Sequence, residues 1–508
     1  MTEKTVGALP QEILNFLLSP GGHSMMVKGD AGTGKTTMGL QIIESLSDKQ
    51  PEYYLSSRVS DIALFNQFPW LKERVKNNEL LRAGKAFLRR DGEKVNPRRP
   101  AAIVDAEPII SRKELNRLEG QIEAGEIGFE DEDTTVMEPD GTVVVEMGSM
   151  MPEIEMAYDI VESNLPKKTL VVLDSVEALS ENYGVPANRI VNALQKDLVE
   201  KAGTNVIFIM ETADRNHLDY LGDGVIIMRN TIINDHRVRT IDIDKLRGSE
   251  IHNWRYLFTL NGGRVTVMER DHDIASIKMT PSQTPMPAGR GSFGWSEMDQ
   301  LFKGTPLGSL TLLEVDQGVP MDLLDKMELA LISEHLRNGK GILWYPERTL
   351  DYTNLVEQLG FSKNPNAMDR LRVLDASGVV DSGYSFIKKL EGDDLDHDLH
   401  WDTLKYMLRG TATPYLSLMG LDALESVYGT DVAPKLLQHV DAMRRGGHMA
   451  VVEATYGSKN LETVAHQARL HLCLMNLNGT VVLHSKKPTS IYYCFSIEKG
   501  EARWVPML

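Results

Sequence analysis

Residues 29–36 read GDAGTGKT, a glycine-rich turn with the spacing G-x-x-x-x-G-K-T. Its flanks make it the most constraining segment of the chain. Residues 23–28, HSMMVK, form a short strand-like run leading in. Residues 37–46, TMGLQIIESL, have helical apolar spacing leading out. A strand, a glycine turn and a helix N-terminus build an anion cradle: backbone N–H groups converge on it, and the helix dipole adds positive potential. The expected phosphate contacts are Gly29, Asp30, Ala31, Gly32, Thr33, Gly34, Lys35, Thr36 and Thr37. Lys35 would reach the β- and γ-phosphates of a nucleotide, and Thr36 would offer its hydroxyl to Mg2+. The bland alternative is a glycine-rich turn that holds no ligand.

Such a loop needs an acid to hold the metal. Residues 166–175, PKKTLVVLDS, supply Asp174 after a continuous apolar run, the pattern of a central parallel strand. Asp174 thus falls at a strand's C-terminal end, where α/β sheets bind ligands. The metal set expected is Thr36 and Asp174; otherwise Asp174 merely caps the next helix. The fold class that follows is α/β, with parallel strands alternating with helices.

Composition narrows the function. The 508 residues hold 55 Lys and Arg against 72 Asp and Glu, a net charge of −17, which argues against binding led by non-specific phosphate contacts to nucleic acid. Aromatics are only 6%, too few for a base-stacking platform. The two cysteines, Cys473 and Cys494, exclude a disulfide scaffold and a four-thiolate zinc site. The N-terminus lacks a basic region followed by an apolar core, and no apolar run approaches 18 residues, so a cytoplasmic protein is expected.

The chain repeats itself. EALSENYG at 177–184 matches DALESVYG at 422–429, HSMMVKGDAGTGKT at 23–36 matches SLTLLEVDQGVPMD at 309–322, and YLFTLNGG at 256–263 matches YCFSIEKG at 493–500. Three matches in one order indicate a tandem duplication. The domains expected are 1–275 and 289–508, joined by a polar, Pro-rich linker at 276–288. The second copy is disarmed: Gly29, Gly34, Lys35 and Thr36 align with Val315, Pro320, Met321 and Asp322, and Asp174 aligns with Met419. One working nucleotide site per chain is expected. The spacing from Gly29 to Asp174 is 145 positions but from Val315 to Met419 only 104, so the first copy holds about 41 extra residues, placed within 82–155. That stretch opens basic, with Arg89, Arg90, Lys94, Arg98 and Arg99, and continues acidic from Glu123 to Asp133. It reads as a partner-docking element or a phosphate-facing patch, or else as a solvated loop whose halves neutralise each other. Asp140-Gly141 before TVVVE suggests a hairpin turn.

GDAGTGKT, VVLDS, LGDGVII at 221–227, DKLRGS at 244–249 and YLFTLNGGRV together resemble the KaiC-type branch of the RecA-like ATPases. The second half opens with FGWSEMDQLF and GTPLGSLT, similar to the opening of a KaiC domain. Within this branch LPQEILNFL, HSMMVKGDAGTGKTT, YYLSSRVSD and QFPWL are similar to the archaeal gas-vesicle regulatory family GvpD. The resemblance implies tandem RecA-like domains and a ring-like homo-oligomer with ATP held between subunits. It also implies a regulatory protein partner, through which gas-vesicle gene expression would be restrained at an activator protein.

The resemblance further implies that Lys245 and Arg247 reach the neighbouring subunit's nucleotide, supplying positive charge in trans. One departure matters. Where the KaiC branch has a Glu pair that orients the attacking water, this chain reads Leu55-Ser56-Ser57-Arg58. Serine is no carboxylate base near neutral pH. Glu211, after the strand VIFIM, is the candidate substitute or γ-phosphate sensor. The catalytic candidates are Lys35, Glu211, Lys245 and Arg247, and slow or absent hydrolysis is expected. The competing function is a recombinase-like, DNA-dependent ATPase, which the shared core allows and the net charge opposes. A KaiC-like autokinase is disfavoured because the second copy lacks the phosphate loop.

Overall fold

The computed structural model describes residues 9–46, 49–56, 64, 66–70, 135–137, 143–145, 151–268, 270, 274–282, 285–361, 364–375 and 383–508. The chain divides into two compact units. The first comprises residues 1–233, 237–267 and 508; the second comprises 234–236 and 268–507. The stretch read as a linker, 276–288, belongs to the second unit, where Ile274 just before it and Ile277 within it enter the apolar core.

The first unit opens with helix α1 (Gln11–Leu18), strand β1 (Ser24–Gly29) and helix α2 (Lys35–Leu46). Its strands continue as β2 (Glu52–Ser56), β3 (Thr135–Met137), β4 (Val143–Val145), β5 (Leu170–Asp174), β6 (Asn205–Met210), β7 (Gly224–Ile233), β8 (His236–Leu246), β9 (Arg255–Thr259) and β10 (Thr266–Val267). Eight of them form one sheet in the order β10-β9-β8-β7-β1-β6-β5-β2. From β7 to β2 the neighbours are parallel, and β8–β9–β10 continue antiparallel. Parallel strands need both faces covered, which explains the unbroken apolar runs. Met25 and Val27 point into a core with α1 and α2, while Met26 points into one with the 152–164 and 187–194 helices. β3 and β4 pair antiparallel, Thr135 opposite Val145, as the Asp140-Gly141 signal suggests; the turn itself, the basic run 89–99 and the acidic run 123–133 lie outside the described residues.

The second unit carries β11 (Arg290–Gly291), β12 (Thr305–Pro306), β13 (Ser309–Val315), β14 (Lys340–Tyr345), β15 (Leu371–Asp375), β16 (Ile387–Lys389), β17 (Ala412–Gly420), β18 (Met449–Thr455), β19 (Ala468–Leu477), β20 (Thr480–Lys487), β21 (Tyr493–Glu498) and β22 (Glu501–Pro506). Ten strands form its main sheet, in the order β16-β15-β14-β17-β18-β13-β19-β20-β21-β22. With β13 set on β1, the partners are β18 on β6, β17 on β5, β14 on β2, and β19 to β22 on β7 to β10. The strand order is the same, with β15 and β16 added at one edge. Both units are α/β with parallel-rich sheets, a tandem arrangement.

Candidate functional site

β1 ends at Gly29 and α2 starts at Lys35, so GDAGTGKT is the connection between the central strand and its helix. The backbone there requires glycine: a Cβ on Gly29 would lie 2.5 Å from the Met228 carbonyl oxygen and 2.7 Å from Thr33 Oγ1. Gly32 has φ +75°, a left-handed value that other residues adopt at a cost. The Asp30 carbonyl closes the turn, accepting from the Thr33 hydroxyl at 2.9 Å and from the Lys35 ammonium at 2.9 Å. Lys35 is buried and its ammonium lies 3.9 Å from Glu211 Oε2.

Thr36 donates its hydroxyl to Asp174 Oδ2 at 2.6 Å, and the buried Tyr54 hydroxyl, from β2, donates to the same oxygen. Burial raises the Asp174 pKa, and the Thr36 and Tyr54 hydrogen bonds only partly oppose this. Beyond Asp174, Ser175 caps the 176–183 helix, its Oγ accepting from the Ala178 N–H. That helix's first turn aims Glu177 at β6, where the Glu211 N–H donates to Glu177 Oε1 at 2.9 Å. Burial also raises Glu177, whose Oε2 is buried with no hydrogen-bond partner among the described residues. The ends of β5 and β6 thus bring Asp174, Glu177 and Glu211 to the loop holding Lys35 and Thr36. Three carboxyl groups thus gather around the Thr36 hydroxyl and the Lys35 ammonium. A hydrated divalent cation held by Thr36 and Asp174 fits this set, and the loop's N–H groups with Lys35 fit a phosphate chain.

Lys245 and Arg247 are placed elsewhere. Lys245 donates to the Gly222 carbonyl at 2.5 Å, and Arg247 pairs with Asp223 at 2.9 Å. Asp223 also accepts from the N–H and hydroxyl of Ser24, at the start of β1. Five residues of strand, about 17 Å at ~3.3 Å each, separate that end from Gly29. Burial lowers the Lys245 pKa, with Arg247 adding to the effect, and the Arg247 side chain is 64% exposed. Ser56 ends β2 beside Asp174, whereas Ser57 and Arg58 lie outside the described residues.

Three residues near the loop escaped the sequence reading. Tyr54 looks like any apolar strand residue. Glu177 has a local signal, three positions after Asp174. Arg239, on β8, is buried and donates Nη1 to the Gly32 carbonyl at 3.0 Å. Nothing local marks it, because 207 positions separate it from Gly32.

In the second unit the aligned loop follows β13. Asp316 fills it with its own carboxylate, accepting from the Asn476 N–H at 3.3 Å and, at 3.5 Å, from that of Gly318. Pro320 precedes the 321–337 helix where the first unit has Gly34. An internal acid and a missing lysine remove the anion cradle.

A parallel sheet with a glycine loop between its central strand and helix, Lys and Thr closing the loop, and an acid ending the strand next but one define a P-loop nucleotide-binding domain. Sequence comparison agrees. A family model described as "ATPase: KaiC" matches residues 119–272, and one described as "GvpD gas vesicle protein, P-loop domain" matches residues 13–92. Protein GvpD2 of Halobacterium salinarum is 22% identical over 351 residues, 68% of this chain and 62% of that protein. Protein GvpD1 of the same organism is 22% identical over 362 residues, 67% of this chain and 56% of that protein. The matched part therefore spans less than two thirds of either relative. The chain is KaiC-like and GvpD-related, a P-loop chain of the ATPase type.

Proposed function

We propose that this chain is a gas-vesicle regulatory protein whose first unit binds MgATP and whose nucleotide state governs assembly and partner binding. The observation that carries the reading is the joining of Thr36, in the first turn of α2, to Asp174, at the end of β5, at 2.6 Å beside a buried Lys35. Lys35 and the loop N–H groups would hold the phosphates, and Thr36 and Asp174 would hold Mg2+. A bound Mg2+ neutralises phosphate charge and orients the chain of phosphates.

Lys245 and Arg247 serve a neighbouring subunit's nucleotide. Their separation from their own loop supports this, as does the exposure of Arg247. A cation supplied in trans couples nucleotide binding to assembly, and a comparable arginine changes phosphoryl-transfer rates by ~10³–10⁵-fold. Glu211 senses the γ-phosphate through its contact with Lys35. Hydrolysis is slow, since the place after β2 offers serine rather than a carboxylate base. The second unit supplies a packing and partner surface, and the partner is a transcription activator of gas-vesicle genes.

The deciding measurement is native mass with and without ATP, for the wild type and Lys35→Ala. Nucleotide should enlarge the wild-type assembly and leave Lys35→Ala unchanged. An identical mass in all four conditions would sink nucleotide-controlled assembly. Turnover of ATP at several per second would sink slow hydrolysis, and Ser57→Glu should raise the rate.

A further inference from the structure

Glu314, His471 and Cys473 converge on one buried face of the second sheet. Glu314 is the penultimate residue of β13, and in the parallel register with β19 it lies beside Cys473. His471 is two positions earlier on β19, so it shares the face of Cys473. Glu314 Oε2 accepts from His471 Nε2 at 2.7 Å and from the Cys473 thiol at 3.5 Å. The three donor atoms lie within 4.8 Å of one another, and all three residues are buried.

The first unit shows that the fold does not demand these residues. Glu314 corresponds to Lys28, His471 to Val225 and Cys473 to Ile227, by the same strand register. There Lys28 pairs with Asp219 at 2.6 Å, and Val225 and Ile227 pack in an apolar cluster. A carboxylate, an imidazole and a thiol have replaced an ammonium and two aliphatic side chains.

We infer that Glu314, His471 and Cys473 form a binding site for one divalent transition-metal ion of the zinc class. The donor set is right for it: one nitrogen, one sulfur and one oxygen, the mixture zinc accepts in tetrahedral sites. Ligands ~2.0–2.3 Å from such an ion sit roughly 3.5 Å apart, so the cluster needs shifts on the order of 1 Å to close on a metal. The fourth position falls to water or to His484. His484 stands directly opposite Cys473 in the antiparallel β19–β20 pair, is buried, and has an Nδ1 with no hydrogen-bond partner among the described residues.

Lys486 holds the place of the cation. Its ammonium is 2.8 Å from Glu314 Oε2 and 3.0 Å from Oε1, while its side chain is 44% exposed and opens a path to solvent. The Cys473 thiol is buried beside the Glu314 carboxylate and donates to it in the metal-free chain. The exchange balances. Zn2+ enters, the Cys473 thiol gives its proton to solvent and forms the Zn–S bond, His471 exchanges its Nε2 proton for one on Nδ1 so that Nε2 can bind the ion, and the Lys486 ammonium swings out. Glu314 carboxylate with Lys486 ammonium is neutral; Glu314 carboxylate, Cys473 thiolate and Zn2+ are neutral too.

The test uses the full chain without a metal-binding tag, stripped with chelator and titrated with Co2+. One equivalent should bind with a thiolate-to-cobalt charge-transfer band, and Zn2+ should displace it and raise the melting temperature. Cys473→Ser should abolish the band, whereas Cys494→Ser should keep it. Lys486→Met, which removes the competing cation, should bind on the order of tenfold tighter. No thiolate band in the wild type or in Lys486→Met under excess Co2+ would overturn the site, as would a band that survives in a folded Cys473→Ser.

Discussion

At the scale of single residues, the candidate site depends on hydroxyls and carboxylates that hold one another in a dry place. Tyr54 is fully buried and donates a hydrogen bond to the oxygen of Asp174 that Thr36 also reaches. Tyr54→Phe should cost about 1–3 kcal/mol, the penalty for leaving a buried acceptor short of a donor, measured by chemical denaturation. It should also weaken Mg2+-dependent nucleotide binding, since burial then raises Asp174 with less opposition. A second residue reports through pH. Glu347, two residues beyond the end of β14, has a pKa raised to about 8 by burial and by the adjacent Asp422 charge. Between the ordinary glutamate value of 4.5 and about 8, the folded chain holds a proton that the unfolded chain has lost. Its contribution is therefore present below 4.5 and lost as pH rises through about 8. Glu347→Gln should flatten the stability profile across that window and raise the melting temperature above pH 8; an unchanged slope would refute the assignment.

At the scale of elements, the loop between β1 and α2 was legible because strand, turn and helix are contiguous and each obeys a local rule. Gly29 adds what the motif alone does not explain: its Cβ would meet the Met228 carbonyl on the neighbouring strand. Gly29→Ala should abolish ATP-dependent stabilisation while leaving far-UV circular dichroism intact, because one loop moves and the sheet does not. The 321–337 helix makes a different prediction. His335, buried on the helix's sheet-facing side, has its pKa lowered by burial to about 4. Between 6.5 and about 4 the unfolded chain binds a proton the folded chain refuses, so stability is present above 6.5 and falls as pH drops. The loss is on the order of a few kcal/mol. His335→Leu should lessen the acid sensitivity of the second unit, read by denaturation at pH 7 and pH 5.

At the scale of the whole molecule, the duplication seen in three short sequence matches is a duplication of strand order. Eight strands recur in the same sequence of neighbours, although only one copy keeps the phosphate loop. Among the described residues no helix is long and apolar enough to cross a membrane. The trans role proposed for Lys245 and Arg247 is testable by mixing. Lys35→Ala chains retain both cations, and Lys245→Ala/Arg247→Ala chains retain the loop. Each alone should fail in ATP-dependent assembly or turnover, and a mixture should recover part of it. No recovery from folded, co-assembling chains would place the two residues outside the neighbour's site.

The sequence alone determined the α/β class, the loop with Lys35 and Thr36, Asp174 at a strand end, and the loss of the loop in the second copy. Each is written in contiguous residues, where periodicity and turn chemistry act locally. Only the tertiary structure decided that Tyr54 shares an oxygen with Thr36, that Glu177 faces Glu211, and that Arg239 reaches the Gly32 carbonyl. It alone gathered Glu314, His471 and Cys473 on one face. Those meetings join residues up to 207 positions apart, and they arise from strand order and register, which burial of two sheet faces sets and no local pattern encodes.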